Sequence, residues 1–403
     1  MSKVRQNRRT ISIKKVLSHY DAILAILVML ICVFGLIMIY SASSYRAEYY
    51  YKDSKLYFRS QGGFILGGIA IMILVSLINY RFYFKRIKIF KVKIPIIIFF
   101  WLICIGLQIY VLFNGYESGG SARWIKLGPV GFQPSELSKM MFVIAGAYVA
   151  ARFKFLVNSG NFFKNLGGII LLYCPFLPVL APVAKQNLSS AIILAGILTV
   201  IYFCVSMDKK YFIFVVAALA AAAIAMALLA GYRSQRIMHF LHPETMDPGD
   251  QILQGMYAIA SGGLFGKGLG NSVQKLGNIP EVHTDMIFTI ICEELGIIGG
   301  IALIGLFLLL LWRIFKVALN APDLYGALIA TGVFAQIALQ VMMNVAVVTN
   351  SMPATGVPLP FVSYGGSSLL ILMAEMGMVL NVSKRTEEVL EDEELTEEDE
   401  DFN

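Results

Sequence analysis

Ten apolar stretches of about 17 to 27 residues run through this sequence, each close to the roughly 20 residues that an α-helix needs to cross a hydrocarbon core. They centre on Ile31, Met72, Ile103, Ala145, Leu172, Ile197, Leu219, Gly299, Gln336 and Leu372. In lipid, a backbone has to satisfy its own polar groups, so stretches of this length leave helices as the available fold. Only 15% of the residues are charged and 58% are hydrophobic, whereas a soluble domain carries about 25% charged residues. The expected fold is an all-α polytopic membrane protein with about ten transmembrane helices. The basic segment 1–20 runs into the first apolar stretch without a small-residue cleavage site, so no cleavable signal peptide is expected.

Lysine and arginine set the orientation. With the N-terminus inside, the inner segments hold 21 of the 33 basic residues, the bias of cytoplasmic loops. Both termini are then cytoplasmic, and the segment 232–284, between the seventh and eighth helices, is a large extracytoplasmic loop. The net charge of +7 is thereby a topology signal, and no nucleic-acid partner is expected. The membrane domain covers residues 21–385. Beyond it, residues 386–403 form an acidic tail, with 11 acidic and no basic residues from Glu387 to Asp401. Such a run reads as disordered, either a solubilising tail or a docking segment for a cytoplasmic partner. The five cysteines, Cys32, Cys104, Cys174, Cys204 and Cys292, fall inside apolar stretches at no metal-ligand spacing and read as packing residues.

Three outer segments hold the residues able to do chemistry. The first contains Arg123, Trp124 and Lys126, then Glu136 and Lys139 just after Pro134. Pro134 suits the first position of a helix, and Glu136 and Lys139 at i,i+3 can pair on one face. Interfacial anchoring accounts for some of this charge; a substrate contact would account for its density. The second segment opens with Arg233 and Arg236, passes through the glycine-rich run Gly262 to Gly270 and Lys275, and ends at His283-Thr284-Asp285. Its glycines fit no Walker pattern, yet their amides could hold an anion. Asp285 lies where a polar loop enters the bilayer, and a carboxylate there is costly unless it has a function. The competing reading is a helix N-cap. The third segment, Thr349 to Ser363, carries three prolines within eight residues, which forbid a regular helix; it would line a site. His239, His242 and His283 match no standard zinc spacing.

Several groups lie deep in the apolar stretches. Gln336, Gln340 and Asn344 share one helix face, Glu293 and Glu294 sit about two turns inside the eighth span, and Glu375 sits inside the tenth. They read as helix–helix glue or as the lining of a wet cavity.

The segment from Pro358 to Ser368 (Pro-Leu-Pro-Phe-Val-Ser-Tyr-Gly-Gly-Ser-Ser) resembles the signature of the SEDS family, the shape, elongation, division and sporulation proteins. So do Tyr40 to Ser43, Trp124 to Lys139, Tyr232 to Gly270, and Pro280 to Asp285. Val347 to Asn350 and Met286 to Gly296 resemble the FtsW/SpoVE branch more than RodA. One position departs from the family: Gln186-Asn187-Leu188-Ser189 stands where many relatives have Pro-Asp-Leu-Gly, so this chain has no carboxylate there.

The resemblance implies a peptidoglycan glycosyltransferase of the cell membrane that polymerises lipid II and works with a class B penicillin-binding protein and other divisome proteins. It also implies that Asp285 is the essential loop aspartate, a general base for the attacking sugar hydroxyl. Arg123, Trp124, Lys126, Glu136, Lys139, Arg233, Arg236, Lys275, His283 and Ser363 are the candidate substrate contacts, the outer cations facing a pyrophosphate leaving group. A divalent cation such as Mg2+ or Mn2+ could share that task, though no ligand set in the sequence requires one. The alternatives are a lipid II flippase using midplane groups such as Gln340 and Glu375, a RodA-type polymerase of cell elongation, and a non-catalytic scaffold.

Overall fold

The computed structural model describes residues 20–401, apart from 90–91, 119–120, 128–129, 158–161, 207–208, 230–237, 239, 243–249, 277–278 and 280–281. All ten expected centres lie on helices. Eight helical segments among the described residues are long and apolar enough to cross a membrane. The other two are α4 (Pro134–Val157), which carries Glu136 and Lys139, and α8 (Lys209–Leu229), whose apolar part is Lys210–Met226.

Burial sorts the eight into a centre and a periphery. In α7 (Leu188–Val205), α11 (Leu324–Val348) and the apolar part of α12 (Gly366–Asp401), two-thirds or more of the apolar stretch is buried, against 28–39% in the other five. The peripheral helices α1 (Ala22–Tyr51), α2 (Leu56–Leu77) and α3 (Ile96–Asn114) turn side chains such as Ile26, Leu66 and Phe113 outward. Exposed apolar surface of this extent is what a lipid-facing wall requires. The fifth span is broken by its prolines into α5 (Phe162–Tyr173), a 3₁₀ turn (Cys174–Phe176) and α6 (Leu177–Gln186). Each proline removes an amide and crowds the preceding turn.

Two acid–base ties fasten the end of the bundle remote from Asp285. Arg313 donates to Asp21 at 2.7 Å, and Asp21 also caps α1 by accepting from the Leu24 amide at 2.9 Å. Asp323 caps α11 and accepts from Arg81 and the Tyr80 hydroxyl at 2.8 and 2.9 Å.

Strands appear where loops were expected. A hairpin, β1 (Arg86–Ile89) with β2 (Val92–Pro95), follows α2, and β3 (Tyr116–Ser118), β4 (Ser121–Leu127) and β5 (Val130–Phe132) form an antiparallel sheet between α3 and α4. These runs are too short to carry a periodicity signal. The acidic segment, expected to be disordered, continues α12 to Asp401. Glutamate and leucine are good helix formers, and extending a helix already nucleated avoids the nucleation cost.

Within segment 232–284 the described residues include more regular structure than an outer loop needs. The segment contains α9 (Gln251–Gly262), capped by Asp250, and then dips beside α10 (Ile287–Leu319). α10 is broken at Gly296, whose φ of +73° only glycine adopts readily. The glycine-rich run fills the break. The Lys267 and Gly268 amides donate to the carbonyls of Glu293 and Glu294, and the Ile297 and Ile298 amides donate to those of Gly263 and Leu264. These bonds satisfy the opened turn at membrane depth.

Candidate active site

Asp285 stands one residue before the N-cap of α10. That cap is Met286, which makes no side-chain cap hydrogen bond. Asp285 is half-buried. Its Oδ1 accepts from Thr284 Oγ1 at 3.2 Å and lies 3.5 Å from Gln251 Nε2 at the start of α9. Its Oδ2 faces Gly356, where a Cβ would lie 3.5 Å away.

The backbone under this carboxylate is held from two sides. Asn344, the outermost member of the polar stripe on α11, donates through Nδ2 to the carbonyls of Asp285 and Val357, both at 2.8 Å. Ser363 Oγ donates to the Thr284 carbonyl at 2.6 Å and accepts from the Leu359 amide at 2.8 Å. The Tyr364 amide donates to the His283 carbonyl at 2.8 Å. The proline-rich segment thus forms a rigid wall, and Phe361 inside it takes a φ of +62°. Its far end is tied to α7 by Ser189 Oγ, which donates to the Thr355 carbonyl at 3.2 Å.

His283 and Ser363 therefore join Asp285 as supports of its loop. The His283 ring is buried against Tyr57, with centroids 4.4 Å apart, and against Tyr364 at 5.4 Å. Burial, aided by the charge of Arg46, pushes its imidazole down to about 4, so the ring is neutral at physiological pH.

The expected cations divide into groups. Lys139 pairs with Glu136 at 2.9 Å, and both side chains are buried. Deeper in the same interior, Gln336 Nε2 donates to Glu375 at 2.8 Å, which joins α11 to α12. Lys275 is buried too: its ammonium donates to Glu294 at 2.8 Å and to the Gly270 carbonyl at 2.6 Å. Lys126, on β4, is exposed and lies 5.1 Å from the centre of the Tyr116 ring. Arg123 and Trp124 share that strand, in a sheet that packs on the ends of α3, α4 and α6. Arg233 and Arg236 lie outside the described residues.

The paired glutamates turn out to be receptors for the glycine-rich run. Glu293 accepts from Lys267 Nζ at 2.7 Å, from the Ser272 hydroxyl and from the Val273 amide at 3.1 Å. Glu294 accepts from Lys275 and from Ser41 Oγ at 2.6 Å. The amides that reach these carboxylates are those of Ser272, Val273 and Gln274, just past the glycine-rich run, whose Lys267 and Gly268 amides go to backbone carbonyls. At the departure from the family pattern, Asn187 caps α7, its Oδ1 accepting from the Ser189 and Ser190 amides at 3.1 and 3.3 Å.

Sequence reasoning overlooked Gln251 beside the carboxylate and read Asn344 as one polar position of three. Nothing in a sequence marks which member of an i,i+4 stripe meets a loop 59 residues away.

Similarity to known proteins extends over nearly the whole chain. The model of the FtsW/RodA/SpoVE family, described as cell cycle protein, matches residues 21–388. The chain is 36% identical over 367 residues to the stage V sporulation protein E of Bacillus subtilis, covering 90% of this chain and 97% of that protein. It is 32% identical to the probable peptidoglycan glycosyltransferase FtsW of Geobacter metallireducens, over 92% of this chain and 96% of the relative. Among solved structures, a chain from a study of polymerization and crosslinking by a peptidoglycan synthase complex superposes with a TM-score of 0.73 at 27% identity, covering 91% of this chain and 98% of that one. The rod shape determining protein RodA of Thermus thermophilus superposes with a TM-score of 0.64 at 26% identity, over 90% of this chain and 96% of that one.

Proposed function

The chain belongs to the FtsW/RodA/SpoVE family of cell cycle proteins, and from that premise we propose that it is a peptidoglycan glycosyltransferase, a multi-pass protein of the cell membrane that polymerises lipid II into β-1,4 glycan strands. The observation that carries the mechanism is the placement of Asp285: a half-buried carboxylate just before α10, on backbone pinned by Asn344 and Ser363. Geometry held in this way is what a general base needs.

Asp285 takes the proton from the 4-hydroxyl of the acceptor sugar. The acceptor oxygen bonds to the anomeric carbon of the donor as the bond from that carbon to the pyrophosphate oxygen breaks. The displacement inverts the centre, turning an α-linked donor into a β-linked chain. A base so placed contributes about 10²- to 10⁴-fold. The charge growing on the pyrophosphate calls for cations. Lys126 is the exposed one among the described candidates, while Lys139 and Lys275 act through the pairs that hold α4 and the glycine-rich run. Among the described residues no group of three His, Cys, Asp or Glu side chains converges as a metal site.

On this reading the Asp285 end of the bundle faces outward and both termini lie in the cytoplasm, as the basic residues favour. A class B penicillin-binding protein crosslinks the product, and other divisome proteins complete the assembly. The pathway is division or sporulation, in line with the FtsW and SpoVE relatives. A flippase would need an open polar path through the midplane, yet Gln336 and Glu375 are buried against each other.

The test is polymerisation of labelled lipid II by the purified protein, with and without a co-expressed class B penicillin-binding protein. Asp285→Ala and Asp285→Asn should both abolish product while inserting normally, since the amide keeps the shape but cannot take the proton. Near-normal turnover by the asparagine variant would remove Asp285 from the role of base.

A further inference from the structure

The α9 helix descends alongside α10. A Cβ at Gly255 would meet Met286 and Thr289, and one at Gly262 would meet the carbonyl of Cys292, so the two helices run side by side in the same direction. The chain reaches its deepest point just past α9, where the carbonyls of Gly263 and Leu264 accept from the Ile297 and Ile298 amides at 2.9 and 3.3 Å. It then climbs back. The Gly268 amide meets the Glu294 carbonyl, and the Ser272 hydroxyl and Val273 amide meet the Glu293 carboxylate.

Two buried ties measure that depth. Arg313 meets Asp21 at one end of the bundle, and Ser41 meets Glu294 nearer the other. Asp21 and Ser41 lie about 20 residues apart along α1, a rise of about 30 Å, which is the thickness of a hydrocarbon core. The ties therefore mark its two boundaries. Ile297 and Ile298 lie about one turn past Glu294 toward Arg313, which sets Leu264 and Phe265 about 5 Å inside the boundary.

The side chains suit that level. Leu264 is exposed and Phe265 is 80% exposed, with Leu269 exposed nearer the boundary. Through the Ile297 and Ile298 bonds they adjoin the outward stripe of α10, where Ile297, Ile301, Leu308 and Trp312 share one face. The one charge in the run, Lys267, is matched by the buried Glu293 at 2.7 Å. Tyr257, also exposed, stands on α9 about 10 Å farther out, at the headgroup level that tyrosines favour. Contiguous exposed apolar surface marks a membrane or protein contact, and the depth selects the membrane.

We propose that residues 262–270 form a re-entrant wedge that inserts Leu264 and Phe265 into the acyl chains of the leaflet on the Asp285 side, with Leu269 at its boundary. The partner is the lipid itself.

Fluorescence tests this without reference to turnover, so the result stands apart from the polymerase reading. The three native tryptophans, Trp101, Trp124 and Trp312, are replaced by phenylalanine. A single tryptophan is then introduced by Phe265→Trp or, in a second protein, by Leu264→Trp. Each full chain is placed in phosphatidylcholine nanodiscs whose acyl chains carry bromine near the glycerol end or near the chain terminus, and thermal unfolding verifies the fold. Both tryptophans should lose most of their emission to bromine near the glycerol end, less to bromine at the terminus, and little to acrylamide in the water. Quenching by acrylamide and not by bromine would place the run in water and overturn the proposal. Emission that neither agent quenches would mean that protein covers the run, and would overturn it too.

Discussion

Replacing Asn344 by leucine isolates the support under the Asp285 carboxylate, the proposed general base. Asn344 is 1% exposed, so it cannot touch a substrate, and leucine has a similar volume without a donor. The change removes two hydrogen bonds of 2.8 Å and leaves the carbonyls of Asp285 and Val357 without their donor. A buried carbonyl so abandoned costs about 1–3 kcal/mol, giving roughly 2–6 kcal/mol for the pair if neither finds a new partner. The loop can recover part of that only by shifting, and a displacement of about 1 Å at a reacting group is worth roughly 10²-fold in rate. Purified Asn344→Leu should therefore show kcat for lipid II polymerisation down about 10²-fold with KM nearly unchanged. Asn344→Asp should be at least as impaired, because it sets an oxygen against two carbonyls. A folded Asn344→Leu protein with wild-type kcat would refute the argument that this amide positions Asp285.

The remaining predictions concern stability as well as activity. Breaking the buried Lys139–Glu136 pair by Lys139→Met leaves a carboxylate unpaired, so it should cost about 3–5 kcal/mol; adding Glu136→Gln should restore most of the loss in thermal unfolding, and no restoration would mean that the two charges are not coupled. Gly266 has φ +79°, and a Cβ there would lie 2.2 Å from the Glu294 carbonyl oxygen; Gly266→Ala should displace the glycine-rich run, lose at least about 2 kcal/mol and speed hydrogen exchange of the Ile297 and Ile298 amides, whereas unchanged exchange would contradict the docking. His283, pushed down to about 4 from 6.5, stays neutral while the unfolded chain takes up its proton. Stability should therefore be level above pH 6.5 and fall by about 3 kcal/mol between pH 6.5 and 4. His283→Phe should flatten that slope, and an unchanged slope would place the acid sensitivity elsewhere.

The amino-acid sequence by itself determined the helices and the motif segments. Apolar length is a local property, and a backbone in lipid has one way to satisfy itself over 20 residues, which is why all ten expected centres fall on helices. Asp285 was legible because a carboxylate at the rim of a span is anomalous wherever the rest of the chain goes. Partnership was not legible, because it depends on which helix faces which. Glu293 and Glu294 read from the sequence either as helix–helix glue or as cavity lining; the tertiary structure makes them anchors for Lys267, Lys275 and the Ser272 hydroxyl. Ser363 reads from the sequence as a substrate contact, and only the folded chain shows its hydroxyl bridging Thr284 and Leu359. Hydrogen bonds and ion pairs form across tens to hundreds of residues of separation, and their energies depend on distances of a few ångströms that the folded bundle alone sets.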